Sequence, residues 1–227
     1  MIAYTELKLN MIYKPLLNRF KWIKYSLYIF IASSFLGLIV YCLDLNLYNN
    51  DGFVFYDGEV LYKEDHAWLW LGLSGIPLII SCITLMIAFL MWIHRAYSNL
   101  PFLGNDNPKT TPGWAVGWWF IPIASLFKPY DVMKEISIWS AEDGVEISRN
   151  TLGFPLNLWW AFWIGCYFLS VIAEYFPATN LEEYRNTILL NIVVFSMFII
   201  SGILMLKIVS SITYSQEIKS GIKSRNI

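Results

Sequence analysis

Four long apolar stretches dominate the chain. The first, second and fourth contain no charged residue, and the third contains only Glu174, near its end. A helix needs about 20 apolar residues to cross the hydrocarbon core of a bilayer. The pattern therefore predicts an all-α membrane protein with four transmembrane helices arranged as two hairpins. The predicted spans are residues 25–43, 67–93, 157–176 and 187–206.

A fifth apolar stretch, residues 114–127, is too short to cross a bilayer as a helix. It has 14 residues and contains Gly117 and Pro122. Pro122 lacks a backbone N–H donor and forbids a continuous straight helix. Such a stretch is typical of a re-entrant segment or of an interfacial segment. The sequence leaves both alternatives open.

The positions of lysine and arginine favour four spans over five. Cytoplasmic loops are enriched in these residues, and their distribution sets the orientation of the chain. With four spans, 14 of the 16 lie on the side of the N-terminus, and only Lys63 and Arg185 lie opposite. If residues 114–127 also crossed, eight would lie on each side. We therefore expect four spans with both termini in the cytoplasm.

Residues 129–142 predict a helix with two unlike faces. At about 100° per residue, one face is apolar and the other carries charges. The apolar face holds Tyr130, Val132, Met133, Ile136 and Trp139, and the polar face holds Asp131, Lys134, Glu135 and Glu142. Such a helix lies in the membrane surface. Its polar face is more acidic than basic, which argues against a simple anchor for anionic lipid.

Composition excludes two broad classes of protein. The chain is 57% hydrophobic and only 15% charged, whereas soluble proteins average about 25% charged residues. Lipid is therefore expected to be the main solvent. The net charge of −1 lacks the basic excess of a nucleic-acid-binding protein, so we expect the bilayer, and no nucleic acid, as a partner.

Three segments carry a family resemblance. They read WIHRAYSNL at 92–100, TPGWAVGWWFIPIASLFKPYDVMKEISIW at 111–139 and LNLWWAFWIGCYFLS at 156–170. Over roughly residues 67–206 the chain resembles the bacterial membrane family called domain of unknown function 4328. Ser125, Phe127 and Asp131 stand where that family often has Asn, Trp and Gln. The resemblance implies the shape of the protein and a location in the bacterial cytoplasmic (inner) membrane, and it implies no reaction.

Tryptophans concentrate on one side of the predicted topology. Nine of the 11 lie on the cytoplasmic half. They form either an aromatic belt at headgroup depth or the wall of a ligand cavity built by Trp118, Trp119, Trp159 and Trp160. The other candidate ligand-binding or partner-binding residues are His94, Arg95, Asn99, Trp114, Lys128, Tyr130, Asp131 and Glu135.

Arg95 has three possible roles. It can be a positive-inside anchor, or it can pair with Asp131 or Glu135 and hold the surface helix against the membrane domain. As a third role, its guanidinium can contact a lipid phosphate.

The sequence offers little chemistry for catalysis or coupled transport. His66 and His94 are the only histidines, and 28 residues of predicted helix separate them by about 40 Å, so they cannot share a metal ion or haem. The central parts of the spans hold no ionisable residue, whereas ion-coupled transporters keep such residues there. We expect no cofactor, no metal and no catalytic residue, although the sequence leaves enzymatic activity undecided.

Two functions remain open. The favoured hypothesis is a non-enzymatic scaffold or accessory subunit that binds a membrane-protein partner or a lipid on its tryptophan-rich cytoplasmic face. The alternative is a lipid-handling or small-molecule-handling protein, whether carrier or enzyme, with the tryptophan-walled cavity as its site. The predicted organisation is a basic N-terminal segment (1–24), a single membrane domain (25–206) and a cytoplasmic tail (207–227).

Overall fold

The protein is mostly helical. A computed structural model describes residues 12–57, 59–62, 72, 75–141, 153–175 and 178–225. The helices are α1 (Leu17–Asn49), α2 (Ile76–Ser98), α3 (Pro112–Gly117), α4 (Lys128–Ser140), α5 (Gly153–Tyr175) and α6 (Leu181–Arg225). Residues 67–71, 73 and 74 of the predicted second span, Phe176 of the predicted third span and Glu142 of the predicted surface helix lie outside the described residues.

Four helices are long and apolar enough to cross a membrane, namely α1, α2, α5 and α6. They confirm the four predicted apolar helices. Two of them are much longer than predicted, because α1 has 33 residues and α6 has 45. At about 1.5 Å per residue α6 measures roughly 68 Å, more than twice the roughly 30 Å of a hydrocarbon core. The predicted C-terminal tail is therefore a helical continuation of the last span through Arg225.

A short β-hairpin follows α1 and departs from the all-α prediction. Strands β1 (Phe53–Tyr56) and β2 (Glu59–Tyr62) pair antiparallel, with Phe53 opposite Tyr62. Asp57, which follows β1, adopts a positive φ of 51°, a conformation that Asp tolerates better than most residues. The Phe53 ring packs edge-on against Tyr184, with ring centroids 5.0 Å apart. The hairpin is thus attached to the beginning of α6.

The chain divides into two compact units. Unit 1 comprises residues 1–25, 86–158 and 204–227, and unit 2 comprises residues 26–85 and 159–203. Each of the four long helices contributes residues to both units.

In unit 2, α6 packs closely against α1 and α5 through glycines. A Cβ added to Gly37 of α1 would lie 2.0 Å from the Phe195 ring, and a Cβ added to Gly165 of α5 would lie 2.9 Å from Met197. Small residues at such contacts let apolar helices approach closely. The Phe195 ring also contacts Tyr41, with ring centroids 5.3 Å apart.

In unit 1, α2 supplies a continuous buried stripe. Phe89, Trp92, Ile93, Ala96 and Tyr97 are at most 7% exposed, and their spacing of three and four residues places them on one face of the helix. The opposite face carries exposed apolar side chains, including Ile87 and Met91. The buried face of α2 is therefore the core of unit 1.

Residues 114–127 form no continuous helix. The six-residue α3 ends at Gly117, and 3-10 turns follow at Trp118–Phe120 and Ala124–Leu126. The break agrees with the prediction from Pro122. Thr111 caps the N-terminus of helix α3, because its hydroxyl accepts from the Trp114 N–H at 3.2 Å. Pro112 occupies the first turn, where its missing N–H has no helical partner to lose.

Helix α4 buries most of its predicted apolar face, but one predicted polar residue is buried with it. Val132, Met133 and Ile136 are at most 4% exposed, as expected, while Asp131 and Lys134 are exposed. Glu135 is only 6% exposed. The helical pattern groups Glu135 with the polar side chains, but Glu135 is buried because of the hydrogen bonds described below.

Candidate binding site

A buried hydrogen-bond network surrounds the Glu135 carboxylate. The Tyr97 hydroxyl donates to Oε2 at 2.7 Å. Oε1 accepts from the side-chain amide of Asn105 at 2.9 Å and from the backbone N–H of Lys109 at 3.0 Å. The Thr110 N–H in turn donates to the Tyr97 hydroxyl at 3.1 Å. Four donors thus join the end of α2, the following loop and α4 in this Glu135 network.

A second buried network surrounds Asn99, which is 1% exposed. Its Oδ1 accepts from the Lys14 N–H at 3.1 Å, and its Nδ2 donates to the Lys14 carbonyl at 3.0 Å and to Gln216 Oε1 at 3.1 Å. Gln216 Nε2 then donates to the Ala96 carbonyl at 3.2 Å and to the Ser140 hydroxyl at 2.9 Å. This Asn99 network ties the N-terminal segment, α2, α4 and α6 together.

The C-terminal half of α6 supplies further polar contacts within unit 1. Glu217 Oε1 accepts from the N–H groups of Leu16 and Leu17 at 2.7 and 3.2 Å, which satisfies donors at the start of α1. Lys219 Nζ donates to the carbonyls of Trp139 and Ala141, both at 3.2 Å. Burial, and next the Glu217 carboxylate, raise the pKa of the Tyr13 hydroxyl above its ordinary value.

Aromatic contacts fix the apolar segment, residues 114–127, to α2 and to α4. Trp119 packs edge-on against Phe89 of α2, with ring centroids 5.3 Å apart. Trp114 and Trp118 contact each other at 4.8 Å, and Lys128 Nζ lies 5.9 Å from the Trp118 ring centroid, within the range of a cation–π interaction. Lys128 therefore follows the segment directly and folds back over one of its rings.

Residues before, within and after the apolar segment contact α2 at two different levels. Thr110, just before α3, contacts Tyr97, whereas Trp119 contacts Phe89. Eight helical residues, about 12 Å, separate Phe89 from Tyr97 along α2. Glu135, after the segment, again contacts Tyr97. The contacts on α2 therefore shift by about 12 Å at Trp119 and return to Tyr97 at Glu135.

One open cleft of about 400 Å³ in unit 1 combines basic and apolar side chains. It is lined by Arg19, Leu90, Met91, His94, Arg95, Gly113 and Val116, and these seven residues define what we call the basic cleft. Arg19 and Arg95 are half-buried, and His94 is exposed. Arg95 forms no ion pair with Asp131 or Glu135 within the described part of the chain. The pairing with Asp131 or Glu135, one of the roles considered for Arg95, is therefore not formed, and the Glu135 carboxylate instead accepts from Tyr97, Asn105 and Lys109.

The predicted site residues fall into different surroundings. His94 and Arg95 share the basic cleft, Asn99 and Glu135 are internal network residues, and Trp114, Trp118 and Lys128 contact one another. Tyr130 donates its hydroxyl to Asn157 Oδ1, and Asp131 is exposed. Trp119 also belongs to unit 1, whereas Trp159 and Trp160 belong to unit 2, with ring centroids 5.6 Å apart.

Sequence reasoning missed several residues that build these sites. They are Arg19 in the basic cleft and Tyr97, Asn105, Gln216, Glu217 and Lys219 in the networks. One signal was available, because Gln216 and Lys219 are polar residues one helical turn apart on a single face. The others pair with residues far away in the chain.

The described residues contain no group of three His, Cys, Asp or Glu side chains placed to hold a metal ion. No curated protein and no solved structure matches the chain. The family model described as domain of unknown function (DUF4328) matches residues 64–214, which is well over half of the 227 residues. The chain therefore belongs to the DUF4328 family.

Proposed function

We propose that the protein is a non-enzymatic scaffold or accessory subunit of the bacterial inner membrane, in which unit 1 lies at the cytoplasmic face and binds a lipid or a membrane-protein partner. The observation that carries this proposal is the pair of buried networks. They join the N-terminal segment, α2, α4 and α6 in one arrangement. Such fully bonded buried networks favour a unique, rigid arrangement, which suits a preformed binding surface.

The distribution of charge supports the orientation. Of the 13 described Lys and Arg residues, 12 belong to unit 1 and only Arg185 belongs to unit 2. Unit 1 also contains both ends of the described chain. By the positive-inside rule, unit 1 therefore faces the cytoplasm, with four spans and both termini inside.

The contacts along α2 support a re-entrant course for residues 114–127. Phe89 lies nine residues before the end of α2 at Ser98, so its level is about 14 Å inside that end of a spanning helix. Trp119 packs at this level, and the residues on either side of the segment contact Tyr97. The segment thus enters the membrane from the cytoplasmic side and returns to it.

Exposed apolar side chains near the turn support the same placement. Phe120 is 62% exposed, Ile123 78% and Phe127 63%. A soluble surface rarely gathers large apolar side chains in so few residues. The bilayer gives these side chains an apolar environment without any further partner.

Two lysines on either side of the apolar segment test the topology directly. Lys109 and Lys134 are both exposed. In a chain lacking its three native cysteines, Lys109→Cys and Lys134→Cys should both resist an impermeant thiol reagent in intact cells. Tyr56→Cys and Glu182→Cys, at exposed positions in unit 2, should react. Labelling of Lys134→Cys but not of Lys109→Cys would mean that the segment spans, and the four-span topology would be wrong.

The scaffold function is tested by identifying the molecules that remain bound to the purified protein. Native mass spectrometry of the gently extracted chain should show a stoichiometric protein partner or a retained lipid. A chain that carries neither, and that converts a membrane metabolite in a coupled assay, would overturn the non-enzymatic proposal.

A further inference from the structure

We infer that the basic cleft is a binding site for the phosphate headgroup of an anionic glycerophospholipid of the cytoplasmic leaflet. This inference rests on the proposed placement of unit 1 at the cytoplasmic face, and it names the ligand that this face would hold. It concerns Arg19 and Arg95, which have no role in either buried network, and it assigns them one shared role.

The cleft offers hydrogen-bond donors from two different helices. Arg19 comes from the first turn of α1, and His94 and Arg95 come from the last turns of α2. In the described part of the chain, none of these three side chains has a carboxylate within ion-pair distance. Arginine presents a planar set of donors that matches two oxygens of a phosphate, and such contacts are stronger than neutral hydrogen bonds. Two arginines that share one cleft without an acidic partner therefore favour an anionic ligand.

The rest of the lining favours a lipid over a free anion. Leu90 and Met91 come from α2, and Gly113 and Val116 come from α3. Met91 is 45% exposed and continues the exposed apolar stripe of Met86 and Ile87. That stripe belongs to a candidate membrane-spanning helix, so its exposed side chains face acyl chains. The cleft therefore has two parts, a basic part formed by Arg19 and Arg95 and an apolar part that is continuous with the exposed stripe of α2.

The size and position of the cleft agree with this ligand. Its volume of about 400 Å³ lies within the range of roughly 300–1,000 Å³ typical of small-molecule sites. Anionic lipids are attracted to basic residues at the cytoplasmic surface. A free phosphate ion would use the arginines but would leave the apolar wall of Leu90, Met91 and Val116 without a contact.

The test measures how much lipid remains bound to the full-length protein. The protein is reconstituted in phosphatidylcholine vesicles that contain a minor share of phosphatidylglycerol. It is then extracted gently, and its bound lipid is identified and quantified by native mass spectrometry. We expect the wild type to retain phosphatidylglycerol in preference to phosphatidylcholine. Arg19→Gln combined with Arg95→Gln should lower that retention at least about tenfold, because two charge-assisted contacts are lost.

Two control variants and one further variant of the cleft are measured in the same way. Arg185→Gln and Lys134→Gln remove exposed cations outside the cleft and should leave retention unchanged. Gly113→Leu fills the cleft while keeping its cations, and the backbone accepts it, because the nearest atom to an added Cβ is Thr111 Oγ1 at 3.9 Å. It should also lower retention, even if the double arginine variant fails to fold.

Three outcomes would overturn the inference. Equal retention of both lipids by the wild type would remove the preference for an anionic headgroup. Unchanged retention in both cleft variants would place the lipid elsewhere. Binding of inorganic phosphate by lipid-free wild type, without retained phospholipid, would make the cleft a site for a soluble phosphate. None of these results alters the cysteine-labelling test, so the failure of this inference and the failure of the proposed topology are distinguishable.

Discussion

The Tyr97 hydroxyl donates a 2.7 Å hydrogen bond to the Glu135 carboxylate, joining the last turn of α2 to α4 across 38 positions of the chain. Both side chains are buried, at 1% and 6% exposed. The same hydroxyl accepts the Thr110 N–H at the entrance to α3. One tyrosine oxygen therefore holds the chain before and after the apolar segment, and the course of that segment depends on it.

The Tyr97–Glu135 bond should contribute measurably to stability. Tyr97→Phe removes a donor to a buried carboxylate and should lower the free energy of unfolding by about 1.5–3 kcal/mol. Thermal unfolding in detergent, or unfolding by a denaturing detergent, measures the change. Tyr214→Phe is a matched control, because Tyr214 is 53% exposed and no hydrogen bond holds its hydroxyl among the described residues. An equal loss in both variants would show that the bond has no special role.

The Asn99 network should be more sensitive to substitution than a polar residue bonded within its own helix. Asn99→Leu removes the partner of the Lys14 backbone groups and of Gln216 Oε1, and the loss at the buried Gln216 oxygen alone should cost about 1–3 kcal/mol. Asn191→Leu is the control, because among the described residues Asn191 donates only to the Thr187 carbonyl of its own helix. We expect faster proteolysis near residue 14 in Asn99→Leu alone. Similar cleavage of both variants would contradict the structural role of Asn99.

Much of the helical architecture could be predicted from the sequence because it depends on local composition. Runs of about 20 apolar residues identify the four long helices, and Pro122 identifies the break in the apolar segment. The β-hairpin also had a local signal, since Asp57 precedes Gly58 and an Asp-Gly pair is a strong hairpin signal between alternating apolar residues.

The candidate site could be predicted only in part because its partners are distant in the chain. His94 and Arg95 are consecutive in the sequence and line the same cleft, but Arg19 reaches that cleft from another helix. Glu135 has the pattern of a solvated helix face, and only Tyr97 and Asn105, which lie 38 and 30 positions away, explain its burial. Periodicity records which face of a helix is polar, but it contains no information about a polar partner elsewhere.

Gly37 should tolerate no side chain. A Cβ at this position would lie 2.0 Å from the Phe195 ring, so Gly37→Ala forces α1 and α6 apart and should cost about 1–3 kcal/mol. The better helix propensity of alanine offsets at most roughly 1 kcal/mol of this loss. Gly221→Ala, also within a helix, meets nothing within 4 Å and should be neutral or stabilising. Thermal unfolding of both variants checks the difference, and a stable Gly37→Ala protein would contradict the close packing.

Trp119 should anchor the apolar segment, whereas Trp114 should not. Trp119 is half-buried and packs edge-on against Phe89, which itself is 4% exposed. Trp114 is 51% exposed, and its ring contact is with Trp118 of the same segment. Trp119→Ala should therefore lower stability by about 2 kcal/mol, less than the 3–5 kcal/mol of a fully buried aromatic residue. Trp114→Ala should change stability by less than about 0.5 kcal/mol.

The same pair of variants separates a packed anchor from an ordinary interfacial ring. If Trp119 fixes the segment to α2, its loss should increase hydrogen exchange across residues 121–127 in detergent, because fewer contacts then oppose local opening. Trp119→Phe keeps a ring against Phe89 and should restore most of the protection, since an edge-on aromatic pair is retained. Trp114→Ala should leave exchange unchanged. If instead both alanine variants exchange at the wild-type rate, Trp119 is an ordinary ring at headgroup depth and does not hold the segment against α2. The contacts of Tyr97 would then hold the segment in place.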